Sequence, residues 1–370
     1  MLIGCPKEIK NHEYRVGLTP PSVRELVAAG HQVLMQRGAG DGIGASDGDY
    51  ERAGGTLADD AATVFARAQM IVKVKEPQAV ERAMLRDGQI LFTYLHLAPD
   101  PEQTTDLIKS GAICIAYETV TQPGGGLPLL APMSEVAGRM AVQAGAHYLE
   151  KAHGGYGVLL GGVPGVSPAK IVILGAGVVG TNAAQIAVGT GAQVVVIDKS
   201  LDALRRADHL FGARVITLHS NRDNIEQQVL SADLVIGGVL IPGAAAPKLV
   251  TREMIGGMKK GAVVVDVAID QGGCFATSKP TTHADPVYLV DGVVHYCVAN
   301  MPGAVPRTSA YALNNATLPF TLHIANAGWR AALKGNAHLM AGLNVAAGKV
   351  TNKEVARALQ HDYVHPEAVL

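Results

Sequence analysis

Residues 170–198 carry the densest chemical pattern in the chain. Lys-Ile-Val-Ile-Leu runs into Gly-Ala-Gly-Val-Val-Gly (175–180), and a second apolar run, Val-Val-Val-Ile, ends at Asp198. Each glycine has its own task in such a strand-to-helix turn. Gly175 permits the tight turn, Gly177 admits a pyrophosphate to bare backbone, and Gly180 lets the helix pack close to its strand. The helix amino terminus then faces the phosphates. Asp198 closes the second strand where a carboxylate accepts hydrogen bonds from a ribose 2′-hydroxyl and repels a 2′-phosphate, so the pattern predicts NAD rather than NADP. In a chain with 43 glycines the glycine spacing alone says little; the flanking strand, the apolar helix to Ala187 and the acid at the right distance make it specific.

Four polar groups elsewhere have the types that a reaction beside such a cofactor needs. Lys75, in Ile-Val-Lys-Val-Lys-Glu-Pro, and His96, in Leu-Phe-Thr-Tyr-Leu-His-Leu, fall at carboxyl ends of candidate strands, the edge where ligands sit in open α/β sheets. Arg15 offers a planar guanidinium that matches a carboxylate. An imidazole titrates near working pH and suits proton transfer. Asp270 lies past a further strand end, in Val-Asp-Val-Ala-Ile-Asp-Gln-Gly-Gly. Each residue also admits an ordinary reading: a hydrogen-bonded structural histidine, a lysine reaching solvent, an aspartate in a solvated loop.

These residues must be positioned by the elements around them. Up to residue 128, short apolar runs at 2–5, 32–35, 70–74, 90–94 and 112–117 read as buried strands, separated by helical patterns such as 21–29 and 101–110. The breaker cluster Gln-Pro-Gly-Gly-Gly-Leu-Pro at 122–128 precedes a helical stretch over 134–152. Strands restart at 171–174, 194–197, 215–218, 234–239, 263–267 and 295–299, the number a Rossmann domain needs. Beyond Pro306 the pattern predicts helices, including 318–333, and no strand. The expected architecture is α/β, with parallel sheets flanked by helices, a domain boundary after residue 128, and a tail beyond Pro306 too short for its own core that packs on the first domain or on a neighbouring subunit.

Composition narrows the partners. A net charge of −1 gives no electrostatic reason to bind nucleic acid or an anionic membrane, and 4% aromatics leave few stacking platforms for bases. The opening residues reach charge too soon for a signal peptide, and no apolar stretch is long enough to span a bilayer; the expectation is a cytoplasmic protein. Cys5, Cys114, Cys274 and Cys297 are far apart and form no Cys-x-x-Cys pair, which predicts buried free thiols. With 48% hydrophobic and 17% charged residues, apolar surface shared between subunits is expected.

The assembled motifs resemble one family, the alanine dehydrogenases together with the NAD-binding subunit of proton-translocating transhydrogenase. The carriers are Gly-Cys-Pro-Lys-Glu-Ile-Lys-Asn-His-Glu-Tyr-Arg-Val-Gly-Leu-Thr-Pro, Val-Lys-Val-Lys-Glu-Pro, Tyr-Leu-His-Leu-Ala, Gly-Ala-Gly-Val-Val-Gly, Val-Asp-Val-Ala-Ile-Asp-Gln-Gly-Gly and Val-Ala-Asn-Met-Pro-Gly-Ala-Val-Pro-Arg-Thr-Ser, spread over essentially the whole chain. The resemblance implies two Rossmann-like domains with a cleft between them, a catalytic one of residues 1–128 plus 307–370 and an NAD-binding one of 129–306, and reversible, NAD-dependent oxidation of L-alanine to pyruvate and ammonium by a homohexamer. It implies that Arg15, Lys75 and Asn300 bind substrate, that His96 is the general acid/base, and that Asp270 is the second catalytic group. For NAD it implies Ser134, Val178, Val179, Asp198, Ser220, Val239, Leu240, the turn of Val267, Ala268, Ile269 and Asp270, and the loop of Val298, Ala299, Asn300 and Met301.

Two positions depart from the family pattern. Where relatives commonly carry Lys or Arg near the adenosine ribose this chain has Ala203, with Lys199, Arg205 and Arg206 close by. Where some relatives hold magnesium between a Glu and a His, this chain has His323 and Ala327, so no metal is expected there. Other readings that keep most of these motifs are the transhydrogenase subunit, a dehydrogenase coupling pyruvate to a larger amino acid, and a non-catalytic NAD sensor.

Overall fold

The computed structural model describes residues 1–239 and 246–370. Among them, contacts gather into two units, Met1–Met133 with Gly303–Leu370, and Ser134–Pro302. The first crossing lies inside the helix Ala131–Tyr148.

In chain order the strands are β1 Leu2–Cys5, β2 Gln32–Gln36, β3 Thr56–Ala58, β4 Met70–Val72, β5 Ile90–Thr93 and β6 Ile113–Ala116. Then follow β7 Lys170–Leu174, β8 Gln193–Asp198, β9 Val215–His219, β10 Leu234–Gly237, β11 Val263–Asp266, β12 Val287–Val290 and β13 Val293–Tyr296, and last β14 Leu343–Ala346 and β15 Lys349–Val350.

The first unit holds one sheet in the order β15-β14-β6-β5-β4-β1-β2-β3, with β1 to β6 parallel. Strands in such a sheet are covered on both faces, which is why they read as unbroken apolar runs. Alternation then sorts them: Ile3, Val33, Met70, Phe92 and Ile115 bury in one core, and Leu34, Ile71, Leu91 and Cys114 in the core on the other face.

The second unit's sheet runs β12-β13-β11-β10-β7-β8-β9, with all but β12 parallel. Read from β9, its six parallel strands follow the doubly wound order, and β3 to β6 through β1 repeat that order in the first unit. Both sheets are therefore Rossmann-like, but mixed rather than purely parallel.

The tail beyond Pro306 departs from expectation. β14 pairs antiparallel with β6, and β15 antiparallel with β14. The run was hidden because Asn344 interrupts it; that residue is buried, donating to Thr119 Oγ1 at 2.7 Å and to the Gly342 carbonyl at 2.8 Å. The helix expected over 318–333 is two, Pro306–Ala327 and Trp329–Gly335, broken at Gly328, whose φ of 76° suits glycine. The four cysteines are buried free thiols, and burial pushes the Cys5 thiol up to about 12. Among the described residues no helix is long and apolar enough to cross a membrane.

Candidate functional site

In the first unit, β5, β4 and β1 are parallel neighbours, so their carboxyl ends share one edge. The chain leaving β1 passes tightly over the end of β4: a Cβ on Gly17 would lie 2.5 Å from the Val72 carbonyl oxygen, so only glycine fits there. Arg15 precedes it and is only 2% exposed. Its Nε–H and Nη2–H donate to the Glu13 carboxylate at 2.7 and 2.5 Å, which fixes the plane of the guanidinium. Burial opposes the cation, yet Glu13 outweighs it and holds the pKa above the ordinary arginine value.

Lys75 follows β4, half-buried, with its carbonyl accepting from Thr93 Oγ1 at 3.0 Å. Behind it lies a buried ionic cluster that the sequence reading missed. Lys73, fully buried, donates to Glu8 at 3.0 Å and to Glu81 at 2.7 Å. The other Glu8 oxygen accepts the Val74 N–H at 2.7 Å, and the other Glu81 oxygen accepts the Gln78 N–H at 2.8 Å. Burial disfavours the ammonium, but the two carboxylates overcome it and raise the Lys73 pKa. Lys73→Met would leave two carboxylates buried without their cation. The expected loss is about 3–5 kcal/mol of unfolding free energy, read from chemical denaturation.

Glu8 has its pKa raised, chiefly by burial, with Lys73 pulling the other way. A carboxyl raised in the folded state contributes stability that is complete below its unfolded pKa of about 4.3 and is lost as pH rises through the folded value. The wild type should therefore lose thermal stability relative to Glu8→Gln as pH climbs from about 4. Parallel melting curves of the two proteins across that range check this; a difference that does not change with pH refutes it.

His96 follows β5, its side chain 43% exposed. Its φ of 49° is left-handed, a conformation that costs a residue with a Cβ about 1–2 kcal/mol. Its ring stacks on that of Tyr94 at 5.8 Å and 7°, and the Tyr94 hydroxyl donates to the Leu129 carbonyl at 2.5 Å. Tyr94 is buried and lies within electrostatic reach of Arg15. The His96 N–H donates to Glu118 at 2.6 Å.

In the second unit the residues expected around a dinucleotide lie on the loops following β13, β11, β10, β7, β8 and β9, in that order along one carboxyl edge. Gly175 has a φ of 101° and turns the chain from β7 into the helix Val178–Gly189. A Cβ on Gly180 would fall 1.8 Å from the Gly175 carbonyl oxygen, whereas one on Gly177 would meet nothing within 4 Å. Gly177 is the N-cap, and no side chain caps the helix. An open backbone position at an uncapped helix start is what a pyrophosphate fits. Asp198 ends β8; its two oxygens accept the Ala176 N–H at 2.6 Å and the Ser200 N–H at 2.7 Å, and its carbonyl accepts the Ser220 N–H at 2.9 Å. Val239 follows β10, while Leu240 lies outside the described residues. Ser134 comes from the helix Ala131–Tyr148, where a Cβ on Gly138, one turn on, would lie 2.2 Å from the Val179 carbonyl oxygen. Ala203 is buried beside the N-cap Ser200, and Arg205 pairs with Asp202 at 2.7 Å.

Asp270 is exposed on the 3-10 turn Val267–Gln271 after β11. Asp266 organises that turn, although the sequence reading passed over it. Its carboxylate accepts the N–H groups of Ala268 at 3.2 Å and Cys274 at 2.9 Å, together with the Ser278 hydroxyl. Burial raises its pKa against those donors. Asn300 is half-buried after β13, also left-handed, with a φ of 58°; Ala299 before it donates to the Thr281 carbonyl at 3.2 Å, and Met301 after it is buried.

Away from these loops, His147, Glu150 and His153 place ligand atoms within 4.8 Å of one another. The two imidazole centroids lie 3.8 Å apart with their planes tilted by 34°, and all three residues are exposed. Glu8 and Glu118 carried one weak signal in the sequence: each lies shortly past a strand end, as Lys75 and His96 do.

Residues 4–137 match the family model described as alanine dehydrogenase/PNT, N-terminal domain, and residues 141–353 the corresponding C-terminal domain. The chain is 60% identical over 370 residues to the alanine dehydrogenase of Halomonas elongata, covering all of both chains. It is 53% identical to that of Mycolicibacterium smegmatis over 97% of each. A solved L-alanine dehydrogenase superposes with a TM-score of 0.95 at 52% identity, covering 97% of this chain and 99% of that one. A transhydrogenase from Sinorhizobium meliloti superposes with a TM-score of 0.82 at 26% identity, over 95% and 99% of the two chains.

Proposed function

The chain belongs to the alanine dehydrogenase/PNT family, and from that premise we propose that it catalyses the reversible, NAD-dependent oxidation of L-alanine to pyruvate and ammonium. The observation that carries this reading is identity of 60% across the full length of both chains to an alanine dehydrogenase, well above the 26% to a transhydrogenase.

In this reading the Arg15 guanidinium, its plane set by Glu13, binds the substrate carboxylate, and Lys75 reinforces it and polarises the carbonyl of pyruvate in the reverse direction. Asn300 helps to hold the substrate. Gly175, Gly177 and Gly180 cradle the pyrophosphate at the helix start, Asp198 takes the ribose hydroxyls, and the loops bearing Ser220, Val239, Val267–Asp270 and Val298–Met301 complete the cofactor contacts. NAD, when bound, supplies the acceptor for the hydride that leaves the substrate Cα. His96 takes the proton that the ammonium must lose, and shuttles protons as water adds to the substrate iminium and the carbinolamine collapses. Asp270 orients the attacking water, or ammonia in reverse, and stabilises the cationic iminium. The enzyme acts as a cytoplasmic homohexamer.

The test is NADH formation by the purified protein with NAD and L-alanine, beside L-serine, L-lysine and NADP. A strong signal that needs both alanine and NAD is the expected result. Silence with alanine, while NAD still binds, would turn the reading to a transhydrogenase subunit or a sensor.

A further inference from the structure

We propose that Glu118 is a positioning residue for His96, acting through the backbone rather than through the ring. The inference rests on the role given above to His96. β5 and β6 are parallel neighbours with Thr93 opposite Ala116, so the residues just past the two strands lie side by side. Past β6 the chain turns through the 3-10 segment Tyr117–Thr119, which brings the Glu118 side chain, 15% exposed, over the loop that follows β5. There its carboxylate collects two successive amides. The Leu95 N–H lies 3.2 and 3.3 Å from its two oxygens, and the His96 N–H lies 2.6 Å from Oε1.

At this turn of two consecutive N–H groups toward one acceptor, His96 takes a left-handed φ of 49°. From the other side Gln103 Nε2 donates to the Leu95 carbonyl at 2.7 Å. The loop is thus gripped by one acceptor and one donor. The ring has a separate support in its stack on Tyr94. Between the Glu118 oxygen and His96 Nδ1 the distance is 3.9 Å, too long for a hydrogen bond, so the grip reaches the imidazole through the main chain. A shift of the Cα carries the ring with it, and misplacement by about 1 Å can cost a reaction about 10²-fold.

The test compares three replacements at this position with His96→Ala and with the double variant Glu118→Ala/His96→Ala. Gln keeps a carbonyl oxygen at the same reach and can accept both amides; Asp keeps the charge but is one methylene short. The geometry predicts that Glu118→Gln holds kcat within about fivefold of wild type, while Asp loses at least about tenfold and Ala about 10²-fold. KM for alanine and affinity for NAD stay near wild type throughout. In the double variant turnover should be no lower than in His96→Ala alone, because both changes remove one function.

Asp retaining more turnover than Gln would overturn the proposal, since charge and not reach would then matter. So would full kcat in Glu118→Ala, additive losses in the double variant, or a rise in KM that accounts for the loss. If Glu118→Ala does not fold, the order of Gln and Asp still decides. Normal turnover in His96→Ala is a different result: it removes the role of His96 itself and the proposal with it.

Discussion

His96→Ala should lower turnover by about 10²-fold or more, with NAD affinity and melting temperature close to wild type. The size follows from the usual worth of a positioned acid/base, and its separation from the other readouts follows from where the residue sits. His96 lies on the loop past β5 in the first unit, whereas the glycine turn and Asp198 lie in the second. Its side chain is 43% exposed, so truncation opens no hole in a packed core, and surface changes of that kind stay within about 0.5 kcal/mol. Steady-state rates with saturating alanine, NAD binding by fluorescence and a thermal melt together check the claim. Near-normal turnover would remove His96 from the mechanism.

Gly177→Ala and Gly180→Ala should separate cofactor binding from folding. At Gly177 an added methyl meets no protein atom within 4 Å, and the residue's φ of −76° suits alanine. That variant should melt like wild type yet bind NAD about 10- to 100-fold more weakly, because in the proposed reading the methyl stands where the pyrophosphate approaches, and overpacking costs about 1–3 kcal/mol. At Gly180 the same methyl would lie 1.8 Å from the Gly175 carbonyl oxygen, which is backbone and cannot swing aside. The helix must then lift off its strand, and both melting temperature and NAD affinity should fall. Unchanged NAD affinity in Gly177→Ala would falsify the cradle.

The most legible parts of this molecule were those whose determinants are close together in the chain. The turn at Gly175–Gly180 and the acid at Asp198 belong to one strand-helix-strand stretch, and apolar runs such as 2–5 and 113–116 announce strands wherever those strands end up in a sheet. Neighbourhood is different. That Glu118 reaches the loop of His96, or that Glu8 reaches Lys73, depends on β6 lying beside β5 and β1 beside β4, and sheet order is not written in any local window. β14 failed for the opposite reason: its polarity is local, while the partners that satisfy Asn344 lie at Gly342 and on distant Thr119. One missed element had a readable signal. Val-Tyr-Leu-Val-Asp-Gly-Val-Val, at 287–294, carries an Asp-Gly pair between two apolar runs, and Asp291 and Gly292 have the positive φ of 49° and 79° that such a hairpin turn requires.

Asp198 bears on any attempt to re-engineer the enzyme for a phosphorylated cofactor. The obvious change is to delete the acid so that a 2′-phosphate is tolerated. Yet the same carboxylate latches Ala176, in the middle of the glycine turn, to Ser200, the cap of the next helix. Neutralising it takes an acceptor from those two amides, and in the proposed reading, in which this turn carries the pyrophosphate, a single-site exchange is expected to weaken general nucleotide binding along with discrimination. A workable redesign has to install a substitute acceptor for those two amides before it adds a phosphate-binding cation.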